Sequence, residues 1–177
     1  MPQLLMISGS LRKGSVNTKL VKEAGRLWDG DAVMGDILMP LYNGDDEDAT
    51  GVPEAALTLT AQIKAADAVA IATPEYNQSF PGGLKNALDW ISRTPDKPWM
   101  DKPVAIMSAA AGRAGGARAQ YALRLAMNAF QPRLLTGPEV MIAGAAKEFD
   151  ENGRLTGERY RETLDALMKK LAAVTNT

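Results

Sequence analysis

The sequence predicts a doubly wound α/β fold, one five-stranded parallel sheet between two layers of helices, on three observations. Apolar runs of strand length alternate about five times with segments of helical periodicity. Two of those runs, 68–73 (AVAIAT) and 104–108 (VAIMS), are unbroken, as strands covered on both faces are. The chain has 177 residues, 46% hydrophobic and 23% charged, enough for one well-buried core and an expected single domain over 1–177.

Taken in order, LLMIS is a strand that stops at Gly9, and a helix starts near Thr18. Residues 19–28 put Leu20, Val21, Ala24, Leu27 and Trp28 on one helical face, as in a helix packed on a sheet. Residues 32–39 (AVMGDILM) predict an edge strand, interrupted by Gly35 and Asp36 and stopped by Pro40. PLYNGDDEDATGVP follows as a loop. Its acidic run, Asp45, Asp46, Glu47 and Asp48, reads as solvated charge at a helix entry and not as a metal site.

Pro53 opens a helix to about Ala66, with Ala56, Leu59, Ile63 and Ala66 inward. Strand 68–73 ends in the polar and aromatic loop TPEYNQSFPGG, after which Leu84, Leu88 and Ile91 carry a helix to about Arg93 and TPDKPWMDKP connects it onward. Strand 104–108 runs into AAAGRAGGAR and a helix to about Phe130. On that helix only Gln120, Arg124 and Asn128 form a polar stripe, so either a subunit contact or deep burial is expected. A last strand covers 139–142, FDENGRLTG makes a turn-rich tongue, and a closing helix covers 159–174 with Leu164, Leu167, Met168 and Leu171 inward. Right-handed crossovers and short connections favour strand order 2-1-3-4-5, the flavodoxin-like arrangement, with a ligand at the carboxyl ends of the strands.

Composition narrows the chemistry. There is no Cys and no His, which removes thiolate nucleophiles, imidazole acid–base work and the usual zinc and copper ligand sets. A bound cofactor is the economical way to difficult chemistry in such a chain. A formal net charge of −1 gives no reason to expect nucleic acid or an acidic membrane as partner. No apolar run approaches the ~18 residues of a membrane span, and 1–7 lacks the features of a signal peptide, so a cytoplasmic protein is expected.

Three loops follow the first, third and fourth strands. In GSLRKGSVNTKL, backbone N–H groups, a helix N-terminus, the hydroxyls of Ser10, Ser15 and Thr18 and the Arg12 charge converge as an anion site, with Asn17 where a helix cap or a phosphate ligand would sit. It is neither GxxxxGK[ST] nor GxGxxG, so a single terminal phosphate fits better than a triphosphate or a pyrophosphate. Pro74–Gly83 has prolines to stiffen it, the Tyr76 and Phe80 rings, and Asn77 and Gln78 to read a heterocycle's edge. The third loop, 109–116, permits close backbone approach through Gly112, Gly115 and Gly116, with Ser108 as a further donor.

GSLRKGSVNTKL together with PEYNQSFPGGLKNALDWISR, joined by MPLYN, resembles the NADPH-dependent FMN reductase family, and the likeness extends through KPVAIMSAAAGRAGGARAQYALR. The resemblance implies FMN as cofactor, NADPH or NADH as donor and a quinone or similar flat electrophile as small-molecule acceptor. It implies that Ser10, Arg12, Ser15, Asn17 and Thr18 hold the phosphate. Pro74, Glu75, Tyr76 and Asn77 would run along the isoalloxazine, largely through backbone groups, and Ser108 with Gly112 would close its other side. No protein residue is expected to act as catalytic acid or base, no metal is expected, and a homodimer or homotetramer is. Arg113 is a candidate contact to the incoming dinucleotide. Two other classes share the fold: a flavodoxin-type electron carrier, which tends to be strongly acidic, and a flavin-free signalling domain, which needs acidic residues where Ser8, Gly9 and Ser10 stand.

Overall fold

The two apolar runs that no polar residue interrupts take the centre of the sheet. The computed structural model describes residues 1–175, so the last two residues of the expected 1–177 unit, Asn176 and Thr177, lie outside the described residues. β1 (Gln3–Ser8) pairs with β2 (Asp31–Gly35) on one side and with β3 (Ala68–Thr73) on the other, and β3 pairs with β4 (Pro103–Ala109), all parallel. Every residue of β3 and β4 is buried. The strand order is 2-1-3-4-5, as the sequence predicts.

Side chains alternate across the sheet with period two, and that divides the core. Leu4 and Met6 face α1 (Val16–Arg26) and α6 (Glu158–Thr175), where Leu20, Val21, Ala24, Leu164, Leu167, Met168 and Leu171 meet them. Leu5 and Ile7 face α3 (Glu54–Ala65), α4 (Gly82–Ser92) and α5 (Ala117–Met127), among Leu59, Ile63, Leu84, Leu88, Leu123 and Met127. Helices therefore cover both faces.

Three elements differ from expectation. The fifth strand position is two segments and not one: β5 (Arg133–Leu134) pairs with Pro103 and Val104, and β6 (Val140–Ile142) pairs with Met107 to Ala109. Gly137 and Pro138 fall between them, and a proline has no N–H to give to β4. Arg124 of α5 supports the interruption by donating to the Leu135 carbonyl at 2.7 Å, and burial lowers its pKa.

Strand β2 ends at Gly35, so residues 36–39 leave the sheet earlier than the sequence suggests. Asn86 and Trp90 of α4 hold that loop instead, both donating to the Pro40 carbonyl, at 2.9 and 2.8 Å, while the Asn86 oxygen accepts from the Tyr42 N–H at 2.8 Å. The acidic run forms a short helix, α2 (Gly44–Thr50), because Asn43 caps it and acidic residues favour a helix N-terminus. Glu47 pairs with Arg93 at 2.9 Å and accepts from the Tyr42 hydroxyl at 3.0 Å, which fastens α2 to the end of α4 and holds the Tyr42 pKa above its usual value.

The tongue, bridged at Phe149 and Leu155, is fastened to α1 by one carboxylate. Glu23, 6% exposed, pairs with Arg26 at 3.1 Å and Arg154 at 2.9 Å and accepts from the Leu155 N–H at 3.0 Å. Glu23→Ala leaves that buried N–H without an acceptor and is expected to cost about 2 kcal/mol, which lowers Tm by roughly 4–8 °C. Thermal circular dichroism with limited proteolysis after Arg154 checks it, and a tongue no more readily cut than in the wild type contradicts the tether.

Candidate functional site

β1, β3 and β4 end level with one another: Ser8 pairs with Ala72, and Thr73 with Ser108. The three loops that leave these ends therefore start as neighbours. α1, α4 and α5 begin at the same edge, so three positive helix ends face it.

The first loop is a set of donors. Ser15 caps α1, accepting from the N–H groups of Asn17 at 3.2 Å and Thr18 at 3.4 Å. Ser8 and Thr18 share a hydroxyl–hydroxyl bond of 2.8 Å, and Ser8 also accepts from the Ser10 N–H at 3.3 Å. Among the described residues, the N–H groups of Leu11, Lys13, Gly14 and Val16 have no acceptor within the chain. Gly9 allows the loop to lie against β3, since a Cβ there would sit 3.2 Å from both Leu84 Cδ2 and Thr73 Oγ1. Arg12 and Lys13 are exposed. With no carboxylate between Ser8 and Thr18, the donor set suits a phosphate.

Asn17 has a bracing part that its residue type alone does not show. It is 1% exposed, its amide nitrogen donates to the Ala109 carbonyl at 2.9 Å, and its oxygen accepts from the Ala109 N–H at 2.9 Å. Both ends of the side chain thus join the start of α1 to the end of β4, so the side chain clamps the loop.

The second loop is a tight turn. Tyr76 and Ser79 exchange backbone bonds of 2.9 and 3.1 Å around Asn77 and Gln78, whose φ values are 50° and 66°. Two consecutive left-handed residues are the geometry of a type I′ turn, and for a Gln that backbone is strained. Tyr76 projects 51% exposed, whereas Phe80 packs against the α3 and α4 side of the core. The Glu75 carboxylate leaves this loop to bind Arg118 at the start of α5, through the backbone N–H at 3.1 Å and the guanidinium at 3.2 Å. Only its backbone is left for a ligand.

The third loop has a buried stem and an open turn. Ser108 is 0% exposed; its hydroxyl donates to the Gly115 carbonyl at 2.6 Å and accepts from the Gln120 amide at 2.9 Å. The Ser108 side chain therefore lies behind the loop and holds its stem. Gly112 and Arg113 are exposed, and a Cβ on Gly112 would meet nothing within 4 Å.

The edge therefore gathers Ser10, Arg12, Ser15, Thr18, Pro74, Tyr76, Asn77 and Gly112 on adjoining loops, with Asn17, Ser108 and the Glu75 side chain as braces. Sequence reading missed Ser8, which shares the Thr18 hydroxyl, and Gln120, whose place in a polar stripe suggested solvent. Clefts of about 720 Å³ beside α1 and α6 and of about 490 Å³ between α4 and α5 lie elsewhere. Neither contains a residue of the three loops.

Comparison with known proteins bears on this edge. Residues 2–147 match the model of the NADPH-dependent FMN reductase family. The chain is 46% identical over 172 residues to an NAD(P)H-dependent FMN reductase of Pseudomonas aeruginosa, covering 96% of this chain and 92% of that one. It is 41% identical over 176 residues to a quinone reductase of Escherichia coli K12, covering 97% and 92%. Among solved structures it resembles FerB, a flavoenzyme NAD(P)H:(acceptor) oxidoreductase of Paracoccus denitrificans, with a TM-score of 0.89 and 33% identity over 99% of this chain and 98% of that one.

Asn17→Ala separates clamp from ligand. Loss of both bonds to Ala109 is expected to destabilise the chain by about 2 kcal/mol, seen as a lowered midpoint in urea. An unchanged midpoint with impaired anion binding would make Asn17 a ligand after all.

Proposed function

The chain belongs to the NADPH-dependent FMN reductase family, and we propose that it holds FMN at the three-loop edge, with the phosphate on the first loop and the ring between the second and third. It is an FMN-dependent NAD(P)H oxidoreductase of the quinone-reductase type. The observation that carries the placement is the first loop: unpaired N–H groups, three hydroxyls and Arg12 beside a helix N-terminus, at the strand ends where the winding reverses. FMN, when bound, supplies the redox chemistry, taking a hydride from NAD(P)H and passing electrons to a quinone or similar flat acceptor.

The chain's own residues bind and orient. Ser10 and Thr18 offer hydroxyls to the phosphate, the Ser15 hydroxyl stands beside them while capping α1, and Arg12 adds charge. The Pro74 to Asn77 backbone runs along the ring, and Tyr76, half exposed, flanks the space where donor and acceptor take turns. Gly112 and its neighbours close the other side through backbone groups, with Arg113 toward the dinucleotide. The near-neutral net charge of −1 argues against an acidic docking carrier.

We take the whole chain as one domain, because α6, beyond the family match, shares its core with β1 and β4. Among the described residues no helix is long and apolar enough to cross a membrane. The cytoplasm, where NAD(P)H is available, is the proposed location. A homodimer or homotetramer is proposed from α5, which turns Tyr121 (55% exposed) and Leu125 (73%) outward while Gln120 is fully buried. Leu123 and Met127, also 0% exposed, belong to the monomer's core and would not report on assembly.

Purified protein loaded with FMN and freed of excess should stay yellow and bleach with NADPH or NADH without oxygen; flavin that stays oxidised with both donors contradicts the enzyme reading. Arg12→Ala should weaken FMN binding about tenfold in a flavin-fluorescence titration while leaving Tm unchanged, since the side chain is exposed. Ser15→Ala is a poorer probe, because it also removes a helix cap worth about 1 kcal/mol. Leu125→Glu should lower the mass in solution by light scattering, and an unaltered mass would remove α5 from the subunit contact.

A further inference from the structure

One buried polar group sits behind the site. Gln120 is 0% exposed, and its amide nitrogen donates to the Val140 carbonyl at 2.8 Å and to Ser108 Oγ at 2.9 Å. Carbonyls only accept, so the network has one direction: Gln120 donates to Val140 and Ser108, and Ser108 donates to Gly115. Among the described residues the Gln120 oxygen is buried without a partner, an arrangement that costs stability and that a hydrophobic side chain of the same shape would avoid. A network kept in that form sets geometry.

The geometry it sets is the stem of the third loop. Drawing the Gly115 carbonyl inward holds Gly115 at φ 58° and Gly116 at φ 91°. A Cβ on Gly115 would lie 2.6 Å from the Met141 carbonyl carbon, and one on Gly116 2.7 Å from Ser108 Cβ and Oγ. The stem is thus backed directly onto the β6 backbone and onto the Ser108 side chain of β4, with no room for a side chain of its own. Beyond it, bonds from Gly115 N to Gly112 O (3.2 Å) and Ala117 N to Ala114 O (3.0 Å) close the turn. Among the described residues, the N–H groups of Gly112, Arg113 and Ala114 remain without acceptors in the chain.

We propose that Ser108 and Gln120 are positioning residues that fix the turn 111–114 against the flavin ring, acting through the Gly115 carbonyl and not by touching the ligand. This rests on the placement of FMN at the three-loop edge. The network acts on the ring and the first loop acts on the phosphate, so the two are separable with riboflavin, which has the ring without the phosphate.

The test is titration of the flavin-free protein with FMN and with riboflavin, following flavin fluorescence, for wild type, Ser108→Ala, Gln120→Glu and Arg12→Ala. Gln120→Glu keeps the shape but sets an acceptor against Val140 and Ser108. Both network variants are expected to raise Kd about tenfold for both ligands and to lower the midpoint potential of bound flavin, because misaimed donors stabilise the reduced ring less. Arg12→Ala should weaken FMN alone. Folded variants with wild-type affinities and potential would overturn the proposal and make the network packing only. Loss confined to FMN would overturn it too, by moving the effect to the phosphate loop. A wild type that binds neither ligand would overturn the placement of the site itself, and this proposal with it. Should Ser108→Ala fail to fold, Ser108→Cys keeps a similar volume with a weak donor and is read the same way.

Discussion

The end of β4 is the point to which the rest of the edge is referred. Ala109 gives both its backbone groups to Asn17, so α1 and the loop before it cannot shift along the sheet without breaking two buried bonds at once. Ser108, one residue earlier, holds the third loop and α5. Thr73 is its partner in the ladder and begins the second loop. A cofactor site made from three chain segments needs their relative positions fixed to a fraction of an ångström. Here the fixing is done by buried side chains that bond to backbone, which leaves the outward backbone donors free for a ligand.

That division explains the inverted α5. Its most polar inward residue, Gln120, is fully buried, and its outward face carries Tyr121 and Leu125. Arg124 is half buried and bonded to Leu135, so it supports the gap in the fifth strand position. Burial of Gln120 follows from what the third loop requires, and exposure of Leu125 is what an unassembled subunit would show if that face meets another chain. Neither follows from amphipathic patterning of one helix alone.

Most of the fold was legible because the sequence repeats it in three independent ways: apolar runs, helical periodicity and turn residues agree on nearly every element. The split fifth strand was not, since two-residue pairing leaves no periodicity to read and Pro138 is visible only as a stop. At the site, residue types showed where donors would gather but not which way each would face. The residue types of Asn17, Ser108 and Glu75 do not show that each side chain turns back to brace the chain. Their partners, Ala109, Gly115, Gln120 and Arg118, are 92, 7, 12 and 43 positions away, and no local rule pairs a side chain with a backbone group so placed.

The same geometry bears on breadth of substrate. Residues that brace the edge, Asn17, Ser108 and Gln120, are buried and satisfy backbone groups, so changing them disturbs the fold or the loops. The residues that project, Tyr76, Asn77, Gln78, Arg12 and Arg113, are all exposed. Among the described residues, Tyr76 donates and accepts only through its backbone, in the turn it begins. With FMN at the proposed edge, two demands would be separated: cofactor placement would depend on the buried braces, and acceptor preference on the exposed residues. On that proposal, the acceptor could vary while the hold on the flavin is kept.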